Sequence, residues 1–215
     1  KQEIQSLLVP KSHIPESQLP SSRVDYFYFI NKKSQGLVDV HGNTIIPLTA
    51  NQAILPPSDN MLRLAKVEKK QIAKAYYDLN AEVMVRIPSS EKGKFGAFSH
   101  NLAPVSLADE LYFIDKKGNK VIDGLSKAFS SNEGYRVVQK GSAFGAIDST
   151  GMVVIPIEYT NSLTSVNSGR LGVQKGGSWF YVDTQGQVVS DKYDRIGNFH
   201  HGYASVCLNK LWGAI

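Results

Sequence analysis

One pattern recurs along this chain of 215 residues and restricts its fold more than any other feature. An Asp is followed three residues later by Gly, and then by an apolar pair. It stands at Asp39 and Gly42, Asp115 and Gly118, Asp148 and Gly151, and Asp183 and Gly186. A worn copy, Asp78-Leu-Asn-Ala81, fills the long gap after Asp39, so the Asp spacings become 39, 37, 33 and 35 residues. A second signal precedes the Asp: Asn101, Gly134 and Gly169 each lie fourteen residues before one, and Gly202 repeats the pattern. A period of 20 to 50 residues is the mark of a repeat architecture.

The physics of one unit follows from its residues. Small or apolar residues alternate with others, as in Ala103 and Val105 or Leu171 and Val173. That alternation predicts half-buried strands. Asp-x-x-Gly between two such runs predicts a turn, with Asp bonding the backbone ahead and Gly in the left-handed conformation. A second turn is expected at Lys140-Gly-Ser, Lys175-Gly-Gly and Asn209-Lys210. Each unit is then a meander of three or four short antiparallel strands. The expected units are residues 22–60, 61–97, 98–131, 132–165, 166–198 and 199–215, in one all-β repeat domain. A Gly after Phe144 or Trp212 is expected where a neighbouring backbone or ring approaches closely.

Lys210-Leu-Trp-Gly-Ala-Ile215, the stretch from Ser142 to Tyr159, and the Phe-x-x-Gly entry at Phe199 and Gly202 resemble the WG-repeat (KWG) family of bacterial β-repeat proteins. The resemblance runs over roughly residues 22–215 and is firmest in the last three units. Trp212-Gly213 is the one true Trp-Gly, because Trp179 is followed by Phe180. Gln35 and Lys74 fill the aromatic slot in the first two units. The resemblance implies a β-repeat scaffold and brings no catalytic residue set.

Ser6-Leu-Leu-Val-Pro10 reads like Thr44-Ile-Ile-Pro47, the strand after an Asp-x-x-Gly turn. Two arrangements follow. Residues 1–10 either complete the last unit, closing a propeller-like or barrel-like array, or belong to an open β-repeat superhelix. Closure predicts residues 4–9 paired with 211–215, and Leu7 or Val9 near Trp212. Lys11 to Arg23, Ala50 to Asp59 and Ser89 to Lys94 are expected as variable loops. Helix-favouring Met61 to Asp78 is assigned by repeat register to strands with a turn at Glu68 to Gln71.

Composition narrows the functional classes. The chain is 42% hydrophobic and 20% charged, an ordinary globular balance that excludes whole-chain disorder. Apolar runs such as Met152 to Ile157 are too short to span a bilayer. One cysteine excludes an internal disulfide and suits a bacterial cytoplasm or a periplasm and cell envelope equally. Lys1 to Pro10 lacks the pattern of a secretory leader.

The repeated acids Asp39, Asp78, Asp115, Asp148 and Asp183 are read as turn formers rather than calcium ligands, since their spacing is not that of a calcium-binding roll. His200 and His201 are adjacent on a strand pattern, so they point to opposite faces and do not converge on one metal. His100 occupies nearly the same slot. Cys207 is expected off the core face and has no His at a fixed spacing. No nucleophile–base pair or paired carboxylates appear, and no cofactor is implied. Lys140, Lys175 and Lys210 fall at one turn of successive units, with Lys32, Lys33, Lys69 and Lys70 at the corresponding place. They form a candidate rim for an anionic partner, part of a net charge of +5. Nucleic acid fits poorly, because Arg is scarce and Phe144, Trp179 and Trp212 occupy packing slots. The reading is a non-catalytic binding or scaffold module for a protein partner. The alternatives are recognition of an anionic glycan or cell-wall polymer, and a hydrolase assembled from loops.

Overall fold

The structure, a computed structural model, describes residues 26–31, 33–68, 71–80, 83–87, 93–107 and 110–215. Six antiparallel sheets follow one another along the chain. The first holds β1 (Tyr26–Asn31), β2 (Ser34–Asp39) and β3 (Thr44–Ala50); the second holds β4 (Gln52–Ser58), β5 (Met61–Glu68), β6 (Gln71–Asp78) and β7 (Val83–Ile87). The third holds β8 (Lys94–Phe95), β9 (Ala103–Leu107), β10 (Glu110–Ile114) and β11 (Lys120–Leu125). In the fourth are β12 (Lys127–Asn132), β13 (Tyr135–Lys140), β14 (Ala143–Ile147) and β15 (Val153–Tyr159). The fifth has β16 (Asn161–Ser162), β17 (Arg170–Lys175) and β18 (Ser178–Asp183), and the sixth has β19 (Arg195–Ile196), β20 (Ser205–Leu208) and β21 (Leu211–Ala214). The fold is an all-β repeat array.

The turns explain the meander. Asp59-Asn60, His100-Asn101, Glu133-Gly134, Ser168-Gly169 and His201-Gly202 all have positive φ at both positions, between 50° and 86°. Two such residues form the hairpin turn whose twist matches that of the strands. The helix-like stretch is strand: β5 and β6 pair from Met61↔Asp78 to Glu68↔Gln71. Burial of Leu62, Leu64 and Tyr76 overrides the local helical preference.

Ala50 to Asp59 is not a loop. Gln52–Ser58 forms β4, with a register shift between Leu55 and Ser58 where Pro56 and Pro57 stand. Since β4 is an edge strand, prolines there cost the ladder little. The Lys11 to Arg23 loop lies outside the described residues. So does most of Ser89 to Lys94, although Lys94 opens β8.

Five core clusters each join one sheet to the next. Leu37 and Ile46 meet Leu62 and Tyr77; Met61 and Tyr76 meet Ala103 and Tyr112. Phe113 and Leu125 meet Val138 and Ile147; Val137 and Ile155 meet Leu171 and Val182. Finally Tyr181 meets Phe199 and Val206. The closure register for residues 4–9 lies outside the described residues. Among the described residues, β21 pairs with β20 alone.

Two kinds of side-chain contact lock neighbouring units. A Cβ on Gly118 would stand 2.6 Å from Val85, one on Gly151 2.5 Å from Val121, and one on Gly186 3.0 Å from Pro156. These three Asp-x-x-Gly turns therefore sit on the outer strand of the preceding unit, where a side chain at the glycine would overlap it. The second lock is a tyrosine two residues before the Asp. Tyr76 donates to the Gly96 carbonyl at 2.6 Å and meets Phe98 edge-on at 4.8 Å. Tyr181 does the same with the Gly197 carbonyl, at 2.5 Å, and with Phe199, at 4.8 Å. Burial raises both phenols, that of Tyr181 to about 12, so both stay protonated donors at neutral pH.

Candidate binding surface

Antiparallel pairing places the lysine turns at one end of the sheets and the Asp turns at the other. Lys140, Lys175 and Lys210 lie at the hairpins of β13–β14, β17–β18 and β20–β21, and Lys33 lies at that of β1–β2. Lys32, Lys69 and Lys70 lie outside the described residues. The three lysines are not equivalent. Lys175 Nζ pairs with Glu158 Oε1 at 2.8 Å, and that hydrogen bond raises its pKa. Lys140 and Lys210 are exposed, with no ion pair among the described residues.

The Asp turns share one geometry. Asp39 Oδ1 accepts from the His41 and Asn43 amides at 2.9 and 2.8 Å. Asp115 accepts from Lys117 and Asn119, Asp148 from Thr150 and Met152, and Asp183 from Gln185 and Gln187, all within 3.1 Å. Asp78 accepts from the Asn80 amide at 2.8 Å. The side-chain hydrogen bond from Asn43 leads the lowering of the Asp39 pKa. At Asp115 and Asp148 burial opposes ionisation, but hydrogen bonds from Asn119 and Thr150 and from nearby amides outweigh it. These carboxylates are turn-bound acceptors.

Among the described residues no group of three or more His, Cys, Asp and Glu converges as a metal site. His13 lies outside them, and His41, His100, His200 and His201 are exposed. His100 and His201 hold the same turn position, with φ of 50° and 51°. Cys207 is off the face that carries Ala204 and Val206, yet it is buried, flanked across the sheet by Arg195 and Trp212. Phe144 and Trp179 are half-buried, but Trp212 is 61% exposed. Trp212 departs from its packing slot because no described strand lies beyond β21.

The sequence reading missed an apolar belt. The pairs after each Gly were assigned to half-buried strands, but many of these side chains face solvent. Val83, Val153 and Val188, each five residues after the Asp of its turn in the second, fourth and fifth units, are exposed, and so are their neighbours Met84, Met152 and Val189. Leu48, further along β3, is also exposed. The three valines and their neighbours stand at or just before the start of the outermost segment of each sheet, beyond which no described strand pairs. A shallow cleft of about 210 Å³ lies between the fifth and sixth sheets, lined by Arg170, Tyr181 and Phe199.

The description "WG containing repeat" matches residues 144–179 and 179–212. A comparison with curated proteins finds no match. Solved structures are similar over most of the chain. A eukaryotic initiation factor shares 11% identity at a TM-score of 0.46, covering 88% of this chain and 62% of its own. Kluyveromyces lactis Hsv2p shares 16% at 0.37, covering 89% and 73%. The Dos1 propeller shares 10% at 0.31, covering 85% and 72%. The chain thus spans less than two thirds of the initiation factor's length. No helix of the described residues is long and apolar enough to cross a membrane.

Proposed function

We propose that this chain, which carries WG repeats over residues 144–212, is a non-catalytic module that binds another protein through its outer strands. The observation that carries the reading is the recurrence of an exposed valine five residues after the Asp in three units, Val83, Val153 and Val188, each with an exposed apolar neighbour. Single exposed apolar residues are ordinary on any surface, whereas a contiguous apolar patch marks an interaction site. A repeat scaffold offers such a patch as a row, one segment per unit. The adjacent pairs Met152-Val153 and Val188-Val189 form its centre, because units four and five are neighbours.

The competing reading, an anionic polymer on the lysine hairpins, draws on exposed Lys33, Lys140 and Lys210. The Lys175–Glu158 pair weakens it, since one member of the row is already neutralised. Recovery of partners from native extract separates the two. Met152→Glu with Val188→Glu is expected to lose the bound protein, and Lys140→Glu with Lys210→Glu to keep it. The reverse pattern overturns the protein reading in favour of the polymer, with binding that falls steeply with salt.

A further inference from the structure

We propose that β7, the outer strand of the second sheet, receives an extended acidic segment of a partner protein as a further antiparallel strand. The inference rests on the reading that the outer strands bind another protein, and it names the strand and the chemistry of its partner. The first observation is that β7 is the unguarded one of the four outer strands β3, β7, β11 and β15. Sheet edges are kept from pairing with foreign chains by prolines, bulges and broken register. β3 carries Pro47 and β15 carries Pro156, each with two register shifts against its neighbour. β11 has two shifts and a left-handed Gly124. β7 pairs with β6 without a break, from Lys74↔Ile87 to Asp78↔Val83, and holds no proline. The strand is internal to the array, with described sheets before and after it, and among the described residues no strand lies beyond it.

The second observation is which main-chain groups this edge presents. The Leu79 amide donates to the Asn60 carbonyl at 2.9 Å, so Leu79 directs its main chain toward the β5 side. Successive residues of an antiparallel strand alternate in direction. Asp78, Tyr76 and Lys74 therefore bond β7, through their partners Val83, Val85 and Ile87. That leaves the amides and carbonyls of Met84 and Arg86 directed to the open edge. The side chains alternate as well. Val85 and Ile87 are buried with Ala103 and Tyr112 of the third sheet, whereas Met84 and Arg86 are exposed. A strand added here continues a regular ladder over an apolar inner face and a solvated outer one.

The third observation is the charge around the edge, and it selects the occupant. Arg86 is exposed on the strand itself. Gly118 of the next unit rests on Val85, which brings the turn residues Lys116 and Lys117 to the same strand. None of these three cations has an ion pair among the described residues. The carboxylate of that turn, Asp115, already accepts from the Lys117 and Asn119 amides. Opposite charges across a strand pair are stabilising and like charges are not. The edge therefore favours a strand with Glu or Asp beside Arg86. It disfavours a second copy of this chain, because β7 laid against β7 brings the cations of both molecules together.

The probe is a capped synthetic peptide, Thr-Val-Glu-Val-Glu-Thr, titrated into the full chain, with Thr-Val-Lys-Val-Lys-Thr as its charge-reversed counterpart. Amide exchange reads the edge. At saturation with the Glu peptide the Met84 and Arg86 amides are expected to slow about tenfold or more, with those of Val83 and Val85 little changed. Met84→Pro removes an amide that β6 does not use, so it is expected to keep the parent's thermal melt and to lose the peptide. Arg86→Glu is expected to weaken the Glu peptide about tenfold and to strengthen the Lys peptide. No saturable protection at Met84 and Arg86 overturns the proposal, and so does equal binding of the two peptides by the parent. Protection that rises with protein concentration in the absence of peptide also overturns it, and assigns the edge to a second copy. Recovery of the native partner keeps this test apart from the broader reading. A partner lost with Met152→Glu and Val188→Glu but kept with Met84→Pro overturns the β7 assignment and leaves the broader reading standing.

Discussion

The turn at Asp39 and the turn at Asp148 are the same object in different surroundings. Both carboxylates accept two amides, at residues two and four ahead, within 3.1 Å. Both end on a glycine with left-handed φ, 83° at Gly42 and 89° at Gly151. Yet Gly151 is wedged against Val121 of the preceding unit, and no described residue lies within 4 Å of the Cβ direction of Gly42. The turn is therefore a local structure that residue identity alone produces, and the lock between units is a separate property that needs a neighbour. Stability in a repeat array divides the same way, into terms within units and terms between them.

Replacing the two glycines separates these terms, and it is the largest effect expected. Gly42→Ala bears only the left-handed strain, about 1 kcal/mol. Gly151→Ala bears that strain plus the overlap with Val121, which adds about 1–3 kcal/mol. Urea unfolding of the two variants checks this, and equal losses would break the distinction between them. Truncating the neighbour sharpens it. In Gly151→Ala with Val121→Ala the closest contact, 2.5 Å to Cγ2, is gone and only the Cβ at 2.9 Å remains, so the double variant is expected to fall about 1 kcal/mol short of the summed single losses. Additive losses would mean that the turn does not rest on Val121.

The tyrosine locks extend the comparison to a contact made of a hydrogen bond. Tyr181→Phe leaves the Gly197 carbonyl without its phenol donor, at a cost of about 1–2 kcal/mol. Tyr76→Phe is expected to cost a similar amount, because the Gly96 carbonyl is held in the same way. A loss at one site and none at the other would show that the two interfaces are not equivalent. Thermal unfolding of both variants is the measurement.

What was legible in the sequence was what a single residue enforces nearby. Asp and Gly mark the turns because their conformations and hydrogen bonds lie within five residues, and the period follows from them. The strand assignment of Met61 to Asp78 was legible only through the repeat, since its own residues favour helix. Pro56-Pro57 misled, because proline excludes a central strand and not an edge. The belt at Met152 and Val188 was invisible for a related reason: an apolar pair looks the same whether or not a sheet covers it. The glycine wedges needed two units at once. The tyrosine lock did leave a trace in Gly96-x-Phe98-x-His100 and Gly197-x-Phe199-x-His201, a spacing shared by the two units that use it. The lysine row was legible as a position, while the Glu158 partner of Lys175 was not, because Glu158 belongs to the neighbouring sheet.

The smallest effect concerns what the two turns have in common. Hydrogen bonds to the ionised carboxylates lower the folded pKa of Asp39 and of Asp148 below the unfolded value of about 4. A depressed carboxylate pKa contributes stability that is present above the unfolded value and is lost as pH falls through the folded one. Since the bonds are local, the sign must be the same in both turns, whatever lies beside the glycine. Asn in place of Asp keeps an acceptor oxygen and removes the charge. Asp39→Asn and Asp148→Asn are therefore each expected to be slightly less stable than the parent at pH 7, with the gap closing as the pH drops below about 4. Thermal melts at neutral and acid pH read the gap directly. A gap that stays constant into strong acid would mean that the turns draw nothing from the charge. A gap that closes for Asp39 and not for Asp148 would mean that the neighbouring unit reaches into the turn after all.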